Sequence, residues 1–259
     1  MSDFKKLRVP VEHDGAVLRV VLNAPKANVL DSAMMAEIRQ ALRAQADNHR
    51  LKLVLFEGQG DHFSFGASVP EHVRDQVPGM LRRFHELVLE LCRFPAVTGA
   101  LVRGECLGGG FELALCCDWI VAERGARFAL PEISLAVFPP AGAALLPRRV
   151  PGGRAADWVL SGRRVEANEA HATGLVRALA DKGQGEATLQ ALIQSDILPR
   201  SAAALRCAVR AVRRHLLRDL DTDLQALEQS YVQDLMATRD ANEGIAAFLE
   251  KRAPRFVDQ

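Results

Sequence analysis

Three short segments of this 259-residue chain hold the residue types from which a reaction could be built. They are His62-Phe63-Ser64-Phe65-Gly66-Ala67-Ser68, then Gly108-Gly109-Gly110-Phe111-Glu112, then Pro131-Glu132-Ile133 followed by Phe138-Pro139-Pro140-Ala141-Gly142. Consecutive glycines ahead of a helix let backbone come close to a ligand, and the first-turn N–H groups there lack intrahelical partners. Such amides favour negative charge, as a phosphate or as the oxyanion of an acyl group under attack. A tight turn would use the same residues. The GxGxxG register of a dinucleotide site is missing, and no Lys-Ser/Thr follows as in a P-loop.

Glu112 falls in the first turn of that helix among Phe111, Leu113, Ala114 and Leu115, and Glu132 also sits in an apolar run. Burial raises a carboxyl pKa, which is what proton exchange near neutral pH requires. Taken singly, each glutamate reads more simply as a paired or solvated residue. Only the three segments read together raise them above that reading. Ser64 and Ser68 lie close by but have no nucleophile elbow around them. The seven histidines show no metal-ligand or catalytic pattern, and the five cysteines have no zinc-like spacing and read as core residues.

The elements that must carry these segments alternate. Val17 to Leu22, Leu51 to Phe56, Val97 to Val102 and Trp119 to Ala122 read as strands. The first ends at the turn-like Asn23-Ala24-Pro25. Asp31 is the expected N-cap of a helix to about Ala46, and a second helix, interrupted near Pro78, is expected to reach about Cys92. The glycine run opens a short helix through Cys117. Beyond about residue 185 the patterns are helical: Glu186 to Gln194, Arg200 to His215, Asp221 to Met236 and Asn242 to Lys251. The expectation is an α/β core over residues 1–185 and a helical region over 186–259.

Hydrophobic residues make up 49% and charged residues 25%, ordinary values for a globular chain with a substantial core. A formal net charge of +1 provides no field to gather nucleic acid or an anionic membrane. The N-terminus lacks the apolar run of a signal peptide and no stretch is long enough to span a bilayer, so a cytoplasmic location is expected.

The combination of motifs resembles the crotonase (enoyl-CoA hydratase/isomerase) superfamily. The resemblance runs from Leu22-Asn23-Ala24-Pro25-Lys26-Ala27-Asn28-Val29-Leu30 to the segment Glu243 to Arg252 and is strongest from Gly104 through Ile133. It implies a spiral of ββα units followed by a helical C-terminal region that builds a homotrimer or homohexamer. It implies Glu112 and Glu132 as the catalytic pair, and Ala67 and Gly109 as the amides that hold the thioester oxygen. Gly66, Ser68 and Gly108 would then border the substrate. Phe65, Phe111 and Phe138 are candidate walls of an acyl pocket, although each would serve equally as a core residue. Lys26, Lys251 and Arg252 would meet the phosphates of coenzyme A, the last two from a neighbouring subunit. Coenzyme A is part of the substrate, and no metal or other cofactor is called for.

Where ordinary hydratases carry Gly-Ala-Asp, this chain has Gly66-Ala67-Ser68. That departure, with Pro25-Lys26-Ala27-Asn28 and Pro131-Glu132-Ile133, is similar to the cyclohexa-1,5-diene-1-carbonyl-CoA hydratases of anaerobic benzoyl-CoA breakdown. The subgroup implies 1,4-addition of water to give 6-hydroxycyclohex-1-ene-1-carbonyl-CoA. A general enoyl-CoA hydratase or isomerase is the alternative within the superfamily; a non-catalytic binding or scaffold protein is the alternative outside enzymology.

Overall fold

The computed structural model describes residues 4–24 and 26–259; Pro25, part of the expected Asn23-Ala24-Pro25 turn, lies outside them. Antiparallel strands β1 (Leu7–Arg8) and β2 (Val11–Glu12) flank β3 (Val17–Leu22), whose six residues are all buried. Asp31 caps α1 (Ser32–Arg43) as expected, its carboxylate accepting from the Met34 N–H. Then come β4 (Leu53–Gly58), α2 (Val77–Arg93), β5 (Val97–Val102) and β6 (Glu105–Leu107). Next are α3 (Gly109–Leu115), β7 (Trp119–Glu123), β8 (Arg127–Ala129), α4 (Pro140–Leu145) and α5 (Gly152–Ser161). The core closes with β9 (Val165–Glu166), α6 (Ala167–Ala172), β10 (Ala178–Ala180) and α7 (Gly185–Leu192).

Two sheets result among the described residues. The larger runs β1-β3-β4-β5-β7-β10, with β2 also on β3; β3 to β10 pair in parallel. Both faces of a parallel sheet are covered, so its strands read as continuous apolar runs with little alternation. The smaller sheet, β6-β8-β9, pairs β6 with β8 in parallel and β8 with β9 antiparallel. Its strands have two or three residues each, too few for a sequence pattern to show.

Pro78 does not interrupt α2. It stands in the first turn, where its missing N–H costs no hydrogen bond, so the helix begins at Val77. The C-terminal helices are α8 (Ala202–Val212), α9 (Arg214–Leu217), α10 (Leu220–Gln233) and α11 (Arg239–Leu249). α7, which begins at the expected 185/186 division, packs on β5, β7 and β10. Leu216, Leu220, Leu224, Tyr231 and Met236 join the same apolar cluster as the strands. Arg213 ties the helical region down. Its buried guanidinium donates to Asp118 Oδ1 at 2.9 Å, the Phe94 carbonyl at 2.7 Å and the Ala96 carbonyl at 3.0 Å. Four cysteines are buried as expected; Cys207, on α8, is exposed. No helix among the described residues is long and apolar enough to cross a membrane.

Candidate active site

The segment after β4 is threaded between two others. Leu30 N–H donates to Gly66 O at 2.9 Å and Ser68 N–H to Leu30 O at 3.2 Å, while Leu107 N–H donates to Ser64 O at 2.9 Å. Ser64 is fully buried and serves this frame: its hydroxyl donates to Asn28 O at 2.7 Å and accepts from Gly66 N–H at 3.1 Å. Gly66 has φ +107°, and a Cβ there would stand 3.0 Å from Leu107 O. The frame brings Ala67 against the start of α3: a Cβ on Gly109 would lie 3.0 Å from Ala67 N. Neither the Ala67 nor the Gly109 N–H donates to a backbone acceptor among the described residues. Two free amides therefore sit side by side, the arrangement an acyl oxyanion needs.

The smaller sheet positions the glutamates. Pairing of Leu107 with Ala129 continues in a bond from Gly108 N–H to Ala129 O at 2.8 Å, so the residues after Ala129 run beside the glycine turn. Glu132 follows in the 3-10 segment Pro131–Leu135. Gly108 has φ +47° and ψ −126°, and a Cβ there would fall 2.7 Å from Glu132 Oε1. Only glycine meets both conditions. Glu112, 5% exposed on α3, turns toward α4, where Gly142 N–H donates to its Oε1 at 2.6 Å. That amide belongs to the first turn of α4 and has no partner within its helix.

The two carboxyls share a site but not an environment. Burial raises the Glu112 pKa to about 7, against the opposing pull of the Gly142 and Ala141 amides. Glu132 is pushed well above the usual carboxylate range, first by burial and then by the charge of Glu112. Its residue surface is half-buried, yet its Oε2 is sealed from solvent and has no partner among the described residues. The Gly142 and Ala141 amides favour the ionised form of Glu112; Glu132 has only its own backbone amide to set against burial and the charge of Glu112. One proton shared by the pair therefore resides on Glu132.

Of the residues expected around the substrate, Phe111 is the one whose placement opposes its reading as a pocket wall. It is wholly buried in the core against Phe128, centroids 5.2 Å apart, and has no surface to offer a ligand. Phe65 is 42% exposed and meets His62 edge-on at 4.9 Å. Ser68 precedes the 3-10 segment Val69–His72, and its carbonyl bonds the His72 ring at 2.8 Å. Phe138 is half-buried against Tyr231, with centroids 5.4 Å apart. Lys26 is exposed. Lys251 and Arg252 follow α11, which packs on the 3-10 segments of its own chain that succeed Ser68 and contain Glu132. Arg252 is paired with Glu243 and Glu250.

Tyr231 was not anticipated. It is 1% exposed on α10, and burial together with the charges of Glu132 and Glu112 holds its phenol protonated. It is the only tyrosine of the chain and lies on the apolar stripe Leu220, Leu224, Leu227, a position where a hydroxyl stands out. Among the described residues no group of three or more His, Cys, Asp or Glu is placed to hold a metal ion.

Glu112 and Glu132 thus stand near two free amides, on a parallel sheet followed by a helical C-terminal region. Residues 12–259 match the enoyl-CoA hydratase/isomerase family model, and the chain belongs to that family. It is 43% identical over 253 residues to the cyclohexa-1,5-dienecarbonyl-CoA hydratase of Thauera aromatica, covering 98% of this chain and 97% of that one. It is 36% identical over 251 residues to the 2,3-dehydroadipyl-CoA hydratase of Escherichia coli strain K12, covering 95% and 97%. These relatives are named as hydratases, that is, hydro-lyases. The crystal structure of an enoyl-CoA hydratase from Mycobacterium avium subsp. paratuberculosis superposes with a TM-score of 0.86 at 30% identity, covering 98% of this chain and 99% of that one.

Proposed function

We propose that the protein adds water to cyclohexa-1,5-diene-1-carbonyl-CoA, giving 6-hydroxycyclohex-1-ene-1-carbonyl-CoA in the anaerobic breakdown of benzoyl-CoA. The observation that carries the hydration is the unequal carboxyl pair: Glu112 held by Gly142 and near neutrality, Glu132 with its Oε2 unpartnered and pushed well above the usual carboxylate range by burial and by the charge of Glu112. Similarity to the Thauera enzyme supports the choice of acyl group.

In this reading the Ala67 and Gly109 amides hold the thioester oxygen. Ionised Glu112 takes a proton from water as its oxygen bonds to the β-carbon, and the electron pair moves onto the carbonyl oxygen. The resulting anion extends over the second double bond, and Glu132 delivers its proton to the far end of it. One double bond remains, between the α-carbon and its other ring neighbour, and the water has added 1,4. Each group supplies roughly 100- to 10,000-fold as acid or base, and one amide donor about 100- to 1,000-fold. Phe138 and Phe65 would border the flat ring, with Gly66, Ser68 and Gly108 along its edge. Lys26, Lys251 and Arg252 are the candidates for the coenzyme A phosphates. A homotrimer or homohexamer fits the exposed apolar side chains Phe248, Leu249, Phe256 and Val257 at the C-terminus.

The test compares kcat/KM for the cyclic dienoyl-CoA and for crotonyl-CoA. Preference for the cyclic diene is expected; preference for crotonyl-CoA would return the protein to general enoyl-CoA hydration. Undiminished turnover in a Glu112→Gln, Glu132→Gln double variant would remove the glutamates from the chemistry.

A further inference from the structure

Four buried side-chain polar atoms have no protein partner among the described residues: His85 Nε2, Trp158 Nε1, Glu132 Oε2 and Tyr231 Oη. The last two belong to one place. α10 packs along α4, the helix whose Gly142 holds Glu112, and the Tyr231 ring lies tilted against Phe138 just before α4. Its phenol is close enough to both carboxyls to respond to their charge, Glu132 before Glu112. A buried hydroxyl left unpaired is costly, and tyrosines in protein interiors almost always find a partner for theirs.

The chemistry of the ligand says what such a partner is. The thioester oxygen is served by the Ala67 and Gly109 amides, and the rest of the acyl group is hydrocarbon. The one other polar atom in the reaction is the oxygen that begins as water and ends as the hydroxyl on the β-carbon, and it must sit beside the glutamates. We infer that Tyr231 is a specificity-determining residue whose hydroxyl bonds that oxygen, so that the site distinguishes a β-hydroxyacyl thioester from its deoxy counterpart. This assignment rests on the hydratase reading of the glutamate pair.

The test uses Tyr231→Phe, which keeps the ring against Phe138 and removes only the hydroxyl. Binding is measured by calorimetry for two pairs of thioesters, 6-hydroxycyclohex-1-ene-1-carbonyl-CoA with cyclohex-1-ene-1-carbonyl-CoA, and 3-hydroxybutyryl-CoA with butyryl-CoA. The variant should bind the hydroxylated member of a pair about 10-fold more weakly, the effect of one lost hydrogen bond, and the deoxy member within about twofold of wild type. A purely structural role would weaken both members alike, and equal effects, or none, overturn the assignment. Without ligand the variant should melt at the wild-type temperature or above it, because it no longer buries an unpaired hydroxyl; a lower Tm would mean that the phenol has a structural partner, and also overturns it. Wild-type protein that discriminates through Tyr231 but does not hydrate the cyclic diene would defeat the proposed substrate and leave this assignment standing. Wild-type protein that binds neither pair defeats both.

Discussion

Replacing Glu112 by Gln should make the protein inactive and more stable at once, and the stability gain should depend on pH. The carboxyl sits at about 7 in the folded chain against an ordinary 4.5. A raised folded pKa means that the folded state binds the proton more tightly than the unfolded state. Its stabilising effect is complete below the unfolded value and is lost as pH rises through the folded one. At pH 8 wild type carries an ionised, desolvated carboxylate that the isosteric amide avoids; at about 1.4 kcal/mol per pKa unit the difference approaches about 3 kcal/mol. Near pH 5.5 the folded carboxyl is protonated while the unfolded one is mostly ionised, and the same linkage leaves about 1 kcal/mol. The amide oxygen can still accept from Gly142 N–H, so the fold should be kept. Hydration should fall roughly 100- to 10,000-fold with the loss of the base. Urea unfolding of both proteins at several pH values, alongside kcat/KM, reads both effects. A variant no more stable than wild type at pH 8, or equally stabilised at both pH values, would refute the buried, proton-exchanging carboxyl. Activity within about tenfold of wild type would refute its role as base.

Three further outcomes follow from the same geometry. Gly109→Ala places a methyl group 3.0 Å from Ala67 N, between the paired amides; kcat/KM should fall about 100- to 1,000-fold in protein that still unfolds cooperatively, with Tm lowered by the shift of Ala67, and an unchanged rate would remove these amides from catalysis. The rate of wild type should be bell-shaped in pH. It should fall below about 7 as Glu112 takes a proton and fall again at higher pH as Glu132 loses its own, so a flat profile from acid to neutral pH would contradict the assignment. Arg213→Met leaves Asp118 Oδ1 and the Phe94 and Ala96 carbonyls without the guanidinium that donates to them. Breaking such a buried network should cost about 3–5 kcal/mol in denaturant unfolding, and a loss under about 1 kcal/mol would show that α8 and α9 are held by apolar packing alone.

Strands β3 and β5 could be read to the residue because a parallel strand covered on both faces is a compact apolar run, a local property of the chain. The Asp31 cap was legible for the same reason: capping is decided within a turn. The strands of the smaller sheet, β6, β8 and β9, were not. They are too short to carry a pattern, and they exist because β6 and β8 find each other across the helix and strand between them. The second glutamate depends on that pairing. Without the Leu107–Ala129 register, Pro131–Leu135 has no reason to lie beside Gly108.

The sequence by itself determined the types and order of the site residues: a glycine run that frees amides, a glutamate at the head of a short helix and a second glutamate among apolar neighbours. Tertiary structure alone decided how they differ. Gly142 reaches Glu112 from a helix thirty residues on, while Glu132 Oε2 is left unpaired, so two identical side chains acquire different proton affinities. It also moved Phe111 from pocket to core and brought Tyr231 from the helical region to the carboxyls. Burial and long-range hydrogen bonding set these properties, and both arise only when distant segments pack.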